Sequence, residues 1–232
     1  MAIFKNIDTM INYDIKSDKA AEFIHDGEIR QTLEYASAHG NDIPLIEQIL
    51  QKAAEGNGLN HREAATLIEC GSEEVWERVF AMARELKRRI YGNRIVMFAP
   101  LYLSNYCVNG CVYCPYHAIN RTIPRRKLTQ EEIRQEVIAL QDMGHKRLAL
   151  EAGEHPTLAP IEYILESIDT IYSIRHRNGA IRRVNVNIAA TTVENYRRLR
   201  DAGIGTYILF EETYNREVYN RLHPSGPKSD WA

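Results

Sequence analysis

The sequence predicts an α/β fold in which a helical N-terminal extension, 1–92, leads into parallel strand–helix units over 93–232. Three observations predict it. Apolar residues in the first part recur at helical spacing behind recognisable caps. From Arg94 onward, short apolar runs alternate with amphipathic helices, the pattern of parallel strands joined by right-handed crossovers. The unexpected polar residues then collect just after the apolar runs, where parallel α/β folds hold their ligands.

In the extension, Asn41-Asp42 precedes a helix carrying Ile46, Ile49, Leu50 and Ala53. Asn60 and Glu63 form a capping-box pattern, and Ser72 starts a third helix with Glu73 and Glu74 suited to its dipole. That helix presents Val75, Val79, Met82, Ala83, Leu86 and Ile90 on one face and stops at Gly92. Arg94–Pro100 reads as a first, buried strand. Thr129 caps the following helix with Glu132 at the reciprocal position, Leu128 and Ile133 form a staple, and Gly144 ends it. Lys146–Leu150 is the second strand, and a helix with Ile161, Ile164, Leu165, Ile168 and Ile171 follows. Val184, Val186 and Ile188 alternate as the third strand, Val193–Ala202 is helical, and Tyr207–Phe210 is the fourth strand.

At about 30 residues per strand–helix unit, residues 94–232 supply half of an eight-stranded TIM-type barrel. A four-stranded doubly wound sheet is the competing arrangement, and periodicity does not separate the two.

Composition narrows the function classes. With 29 Lys+Arg against 31 Asp+Glu, the net charge of −2 argues against nucleic-acid binding by bulk electrostatics. No apolar run approaches the roughly 20 residues of a membrane span, and the N-terminus is too polar for a secretory signal. A cytoplasmic protein with no nucleic-acid or membrane partner is expected. Three of the four cysteines, Cys107, Cys111 and Cys114, fall in one short segment, which points to metal rather than to a disulfide scaffold. Cys70 reads as a small buried hydrophobe. An iron–sulfur cluster normally takes four thiolates, so three leave one iron open to a chelating ligand. The alternative is a non-catalytic Cys3His zinc interaction module, with His117 as fourth ligand. The strand-end context favours the cluster. Glu151, Gly153 and Glu154 follow the second strand, Asn185 and Asn187 lie on the third, and Glu211 and Glu212 follow the fourth. The basic run Arg121–Lys127 reads as a solvated approach to the Thr129 helix.

Cys107-x3-Cys111-x-Tyr113-Cys114 after a first strand, with Gly153-Glu154 after the second, resembles the radical S-adenosylmethionine (SAM) superfamily. The segments LYLSNYCVNGCVYC, RRKLTQEEI, MGHKRLALEAGE, IRRVNVNIAATTVENYR and ETYNREVYNRLHPSGPKSDW narrow the resemblance to its tyrosine-cleaving branch. There they are most similar to the FeFe-hydrogenase maturation tyrosine lyases, the HydG family, with the thiamine-pathway 2-iminoacetate synthases, the ThiH family, as sisters. The resemblance implies that Cys107, Cys111 and Cys114 hold a 4Fe–4S cluster whose fourth iron chelates SAM. It implies that Gly153 and Glu154 receive the SAM amino group, that Tyr113 borders the adenine, and that Asn187 and Glu212 also contact SAM. No residue is assigned a catalytic role. The implied reaction splits SAM to a 5′-deoxyadenosyl radical and cleaves the Cα–Cβ bond of L-tyrosine to p-cresol and dehydroglycine, towards CO and cyanide. An electron donor and hydrogenase maturation proteins are the implied partners. The chain departs from the family pattern in Glu211 where Gln is usual, His155 where Asp is usual, and Pro115 where Gly is usual. The later strands and a second cluster site are not in the sequence, so a partial sequence or truncated product is expected.

Overall fold

The computed structural model describes residues 19, 22, 24–177, 179–210 and 212–231. The chain forms two compact units, divided at residues 95 and 96.

The first unit is helical: α1 (Asp26–His39), α2 (Ile43–Ala54), α3 (His61–Glu69) and α4 (Glu73–Tyr91). Local chemistry sets the starts of the last three. The Asp42 carboxylate accepts the Leu45 N–H, Asn60 and Glu63 form a reciprocal capping box, and Ser72 accepts the Val75 N–H. Ile46, Leu50, Cys70 and Val75 make the small core, with Leu67, Val79 and Met82 against it. Cys70 is buried as the sequence predicts. The apolar stripe of α4 is only partly used, because Ala83 and Ile90 near its C-terminal end are exposed.

The second unit is a four-stranded parallel sheet with its crossover helices. In order these are β1 (Ala99–Ser104), α5 (Gln130–Asp142), β2 (Arg147–Ala152), α6 (Ile161–Ser173), β3 (Arg183–Asn187), α7 (Val193–Asp201), β4 (Tyr207–Ile208) and α8 (Arg216–Leu222). A single 3-10 turn at Pro227–Ser229 follows. The strands lie in sequence order, β1-β2-β3-β4, and every pairing is parallel. A doubly wound sheet must reverse its strand order at a switch point, and this sheet does not. The order is that of a barrel wall built by successive right-handed units.

The first strand is displaced from its predicted place. Ile95, Val96, Met97 and Phe98 are exposed and unpaired in the sheet, and the ladder starts where Ala99 aligns with Leu148. Apolarity alone does not make a strand; a hydrogen-bonded neighbour does. The fourth strand is likewise shorter than predicted, two residues in place of four.

Burial explains the rest. Leu148, Ala149 and Leu150 of β2 are all buried, the continuous apolar run of a strand covered on both faces. In β3 only Val184 and Val186 are fully buried, towards the helices, while Asn185 and Asn187 take the opposite face. Ile133 and Val137 of α5 and Ile164, Ile168 and Ile171 of α6 complete this core. The Thr129–Glu132 capping box forms as predicted, and Gly144, at φ +93°, takes the left-handed conformation that ends the turn after α5.

Candidate functional site

The carboxyl ends of β1, β2 and β3 come level in the sheet: Ser104 aligns with Ala152, and Glu151 with Asn187. The three cysteines lie on the loop leaving β1. Successive turns shape it, with the Cys114 N–H donating to the Cys111 carbonyl and the His117 N–H to the Cys114 carbonyl. Cys111 is buried, and Cys107 and Cys114 are half-buried. Burial pushes the Cys111 thiol up, Lys228 opposes this, and Cys107 and Cys114 each add to the rise, so the three sulfurs feel one another.

Gly153 touches this loop. A Cβ there would overlap the Tyr106 carbonyl oxygen and lie 3.0 Å from the Cys107 Cβ. Only glycine lets the β2 end approach the cysteine loop so closely. The next residue ties the two segments together: the Val108 N–H donates to the Glu154 carbonyl (2.8 Å), and Asn109 Nδ2 donates to the Glu154 carboxylate (2.6 Å). Asn109, only 3% exposed, also donates to Cys107 Sγ (3.7 Å) and accepts the Lys228 N–H (2.8 Å). One carboxamide thus joins a cysteine sulfur, the β2-end carboxylate and the segment after α8.

That last segment straps the loop from the other side. The Gly110 N–H donates to the Ser225 carbonyl and the Val112 N–H to the Leu222 carbonyl. Tyr113 is half-exposed, but its hydroxyl meets Nε2 of the fully buried His223 at 2.8 Å. The His223 Nδ1 lies 2.9 Å from the Tyr219 carbonyl, which requires a proton on that nitrogen. Burial and the Glu212 carboxylate push the Tyr113 phenol strongly up. Burial works to raise Glu212 as well, but the hydrogen bond from Lys228 (2.7 Å), with Tyr113 beside it, outweighs this and holds the carboxyl below its usual range.

Asn187 Nδ2 donates to Glu151 at 2.6 Å, and burial pushes the Glu151 carboxyl up against that bond. Tyr116 is raised by burial, with Tyr102, Cys114 and Glu151 contributing. This second polar group therefore lies beside the cysteine loop. Asn185 faces the same side but accepts from Arg183 Nε, away from the cysteines. Glu211 lies outside the described residues. His155 does what an aspartate does at a turn: its Nδ1 accepts the N–H groups of Thr157 (3.3 Å) and Leu158 (3.1 Å), which accounts for the departure from Asp.

Tyr113, Gly153, Glu154 and Glu212 thus border the cysteine loop or its strap, and Asn187 sits one polar pair away. Sequence reasoning missed Asn109, Tyr116, Arg125, His223 and Lys228. The Asn109-Gly110 dipeptide marks a turn and Arg125 falls in the basic run read as solvated, and nothing in the sequence points to the contacts these residues make. Among the described residues, no three His, Cys, Asp or Glu side chains gather closely enough to hold one metal ion, so the Cys3His zinc set is not assembled.

The Radical SAM superfamily model matches residues 101–232. A crystal structure of HydG, a maturase of the FeFe-hydrogenase, superposes with a TM-score of 0.85 at 53% identity, covering 91% of this chain and 46% of that one. HydG from Carboxydothermus hydrogenoformans gives 0.78 at 42% identity, covering 88% and 47%. The 2-iminoacetate synthase of Salmonella typhimurium is 29% identical over 78% of this chain and 46% of its own length. The chain therefore spans about half the length of these relatives. The superfamily's cofactors are a 4Fe–4S cluster and SAM, and the residues present fit them: three thiols on one loop, and a glycine cradle against it that a side chain would fill. On its sequence match, its barrel-type sheet and its cysteine loop, the chain belongs to the radical SAM superfamily.

Proposed function

We propose that the protein carrying this chain is a tyrosine lyase of FeFe-hydrogenase maturation. It would cleave L-tyrosine between Cα and Cβ to p-cresol and dehydroglycine, towards CO and cyanide. The observation carrying this reading is the similarity to the HydG maturases, which extends over nearly the whole chain and is well above that to the 2-iminoacetate synthases.

Cys107, Cys111 and Cys114 are proposed to hold the cluster, and Gly153, Glu154, Tyr113, Asn187 and Glu212 to bind SAM. The cluster would supply the electron that splits SAM into methionine and a 5′-deoxyadenosyl radical. This chain's own residues bind and orient. Asn109 fixes the Glu154 carboxylate, leaving it an acceptor for an ammonium group. His223 fixes the Tyr113 ring through its hydroxyl. The Glu151–Asn187 pair and Tyr116 form the polar wall next to these groups. The electron donor and the proteins that receive the product belong to the same proposal.

Anaerobic reconstitution with iron and sulfide, followed by SAM and L-tyrosine, tests it. A brown protein that releases 5′-deoxyadenosine and p-cresol is expected, and Cys111→Ala should release neither. 5′-Deoxyadenosine without p-cresol would refute tyrosine as substrate. Its formation by Cys111→Ala would refute the cluster assignment.

A further inference from the structure

Arg125 belongs to the basic run that the sequence presents as a solvated approach to a helix, yet its side chain turns inward. Its guanidinium donates to four backbone carbonyls. Nη1 reaches Asn105 (2.7 Å) and Tyr116 (2.9 Å), and Nη2 reaches His117 (2.7 Å) and Asn120 (3.1 Å). Among the described residues no carboxylate forms a salt bridge with it. A guanidinium offers five donors in a planar fork, the geometry needed to span several acceptors at once.

The position of those four carbonyls matters. Asn105 lies just before Cys107, and Tyr116, His117 and Asn120 lie just after Cys114. Arg125 therefore closes the cysteine loop at its neck, joining the chain that enters it to the chain that leaves it. The neighbouring backbone reinforces this closure. Asn105 Nδ2 donates to the Pro124 carbonyl (2.8 Å), and the Arg126 N–H donates to Asn105 Oδ1 (2.7 Å).

We propose that Arg125 is a positioning residue for the iron–sulfur cluster: by clamping both ends of the 105–120 loop, it holds the three thiols at the spacing the cluster requires. The inference rests on the cluster reading above. Lysine preserves the charge and most of the stem but offers one nitrogen, which cannot reach four carbonyls arranged around a planar fork.

The test compares Arg125→Lys, Arg125→Ala and Cys111→Ala with the unaltered protein after anaerobic reconstitution. It follows far-UV circular dichroism, iron and sulfide per chain, iron retained against a chelator, and the EPR signal of the reduced cluster before and after SAM. Arg125→Lys should keep the circular dichroism spectrum but lose iron to the chelator roughly 10–100-fold more readily, the range for partners that orient metal ligands. Its EPR signal should respond weakly or not at all to SAM. Low concentrations of guanidinium ion should restore part of the cluster in Arg125→Ala, which a purely fold-level role would not give. If Arg125→Ala does not fold, Arg125→Lys carries the test. Both Arg125 variants retaining iron and the SAM response, while Cys111→Ala loses its cluster, would overturn the proposal alone. Cys111→Ala retaining a full cluster would overturn the cluster reading and this inference with it.

Discussion

Asn109 carries more of the site than any cysteine does through protein contacts. Its buried carboxamide serves Glu154, Cys107 and the Lys228 N–H together. Asn109→Ala would leave the half-buried Glu154 carboxylate and the Lys228 N–H without this partner, and a lost hydrogen bond of this kind costs about 1 kcal/mol. Chemical denaturation should therefore show a lowered midpoint at unchanged slope; an unmoved midpoint would remove Asn109 from this role. Gly153 makes a different demand at the same scale. In Gly153→Ala the new methyl has to displace the Tyr106 backbone or the Cys107 side chain, neither of them a flexible tip. That variant is expected to fold yet bind markedly less iron on reconstitution, and iron content equal to the parent's would contradict the close approach. The partners of these residues explain why the sequence does not reveal them. Asn109 meets Glu154 at a separation of 45 residues, and Tyr113 meets His223 at 110.

Among the elements, α5 shows how far local chemistry reaches. Thr129 and Glu132 cap each other, and Arg126 adds a third partner to the Glu132 carboxylate. The backbone N–H of Thr129, then Arg126 and the Thr129 hydroxyl, hold the Glu132 carboxyl down at about 2. The folded-state value lies below the unfolded one, so the contribution is complete above the ordinary carboxylate value of 4.5 and is lost as pH falls towards about 2. Glu132→Gln should melt below the parent at pH 5, and the gap should close by pH 2. A gap independent of pH would show that the carboxylate charge plays no part. This cap was legible because its groups lie within three residues of each other. The apolar run Ile95–Phe98 shows the opposite. It has the composition of a strand, but the ladder begins at Ala99, because only from there does β2 provide a partner.

At the scale of the whole molecule, the sheet unit depends on its central strand. Leu150 is fully buried in β2, between β1 and β3. Truncating it to alanine should cost about 2–5 kcal/mol, as a cavity in a core that cannot fully collapse. Met143→Ala, at an exposed position after α5, should stay within about 0.5 kcal/mol. Equal effects of the two in denaturant titrations would show that the β2 core is not what holds the unit together. The strand order also aligns the ends of β1, β2 and β3, so the cysteine loop, Gly153-Glu154 and Asn187 open on one side of the sheet.

The sequence by itself determined the α/β class, most helix starts, the three-thiol motif and the Gly153-Glu154 pair. Each is written in short-range terms: a period, a cap or a spacing within one loop. Tertiary structure decided between barrel wall and doubly wound sheet, because strand order is a relation between segments that periodicity does not encode. It also placed Arg125 at the neck of the cysteine loop, Asn109 between Cys107 and Glu154, and the 222–228 strap across both. A guanidinium looks the same in sequence whether it faces water or four carbonyls. Only the folded chain brings those carbonyls to it.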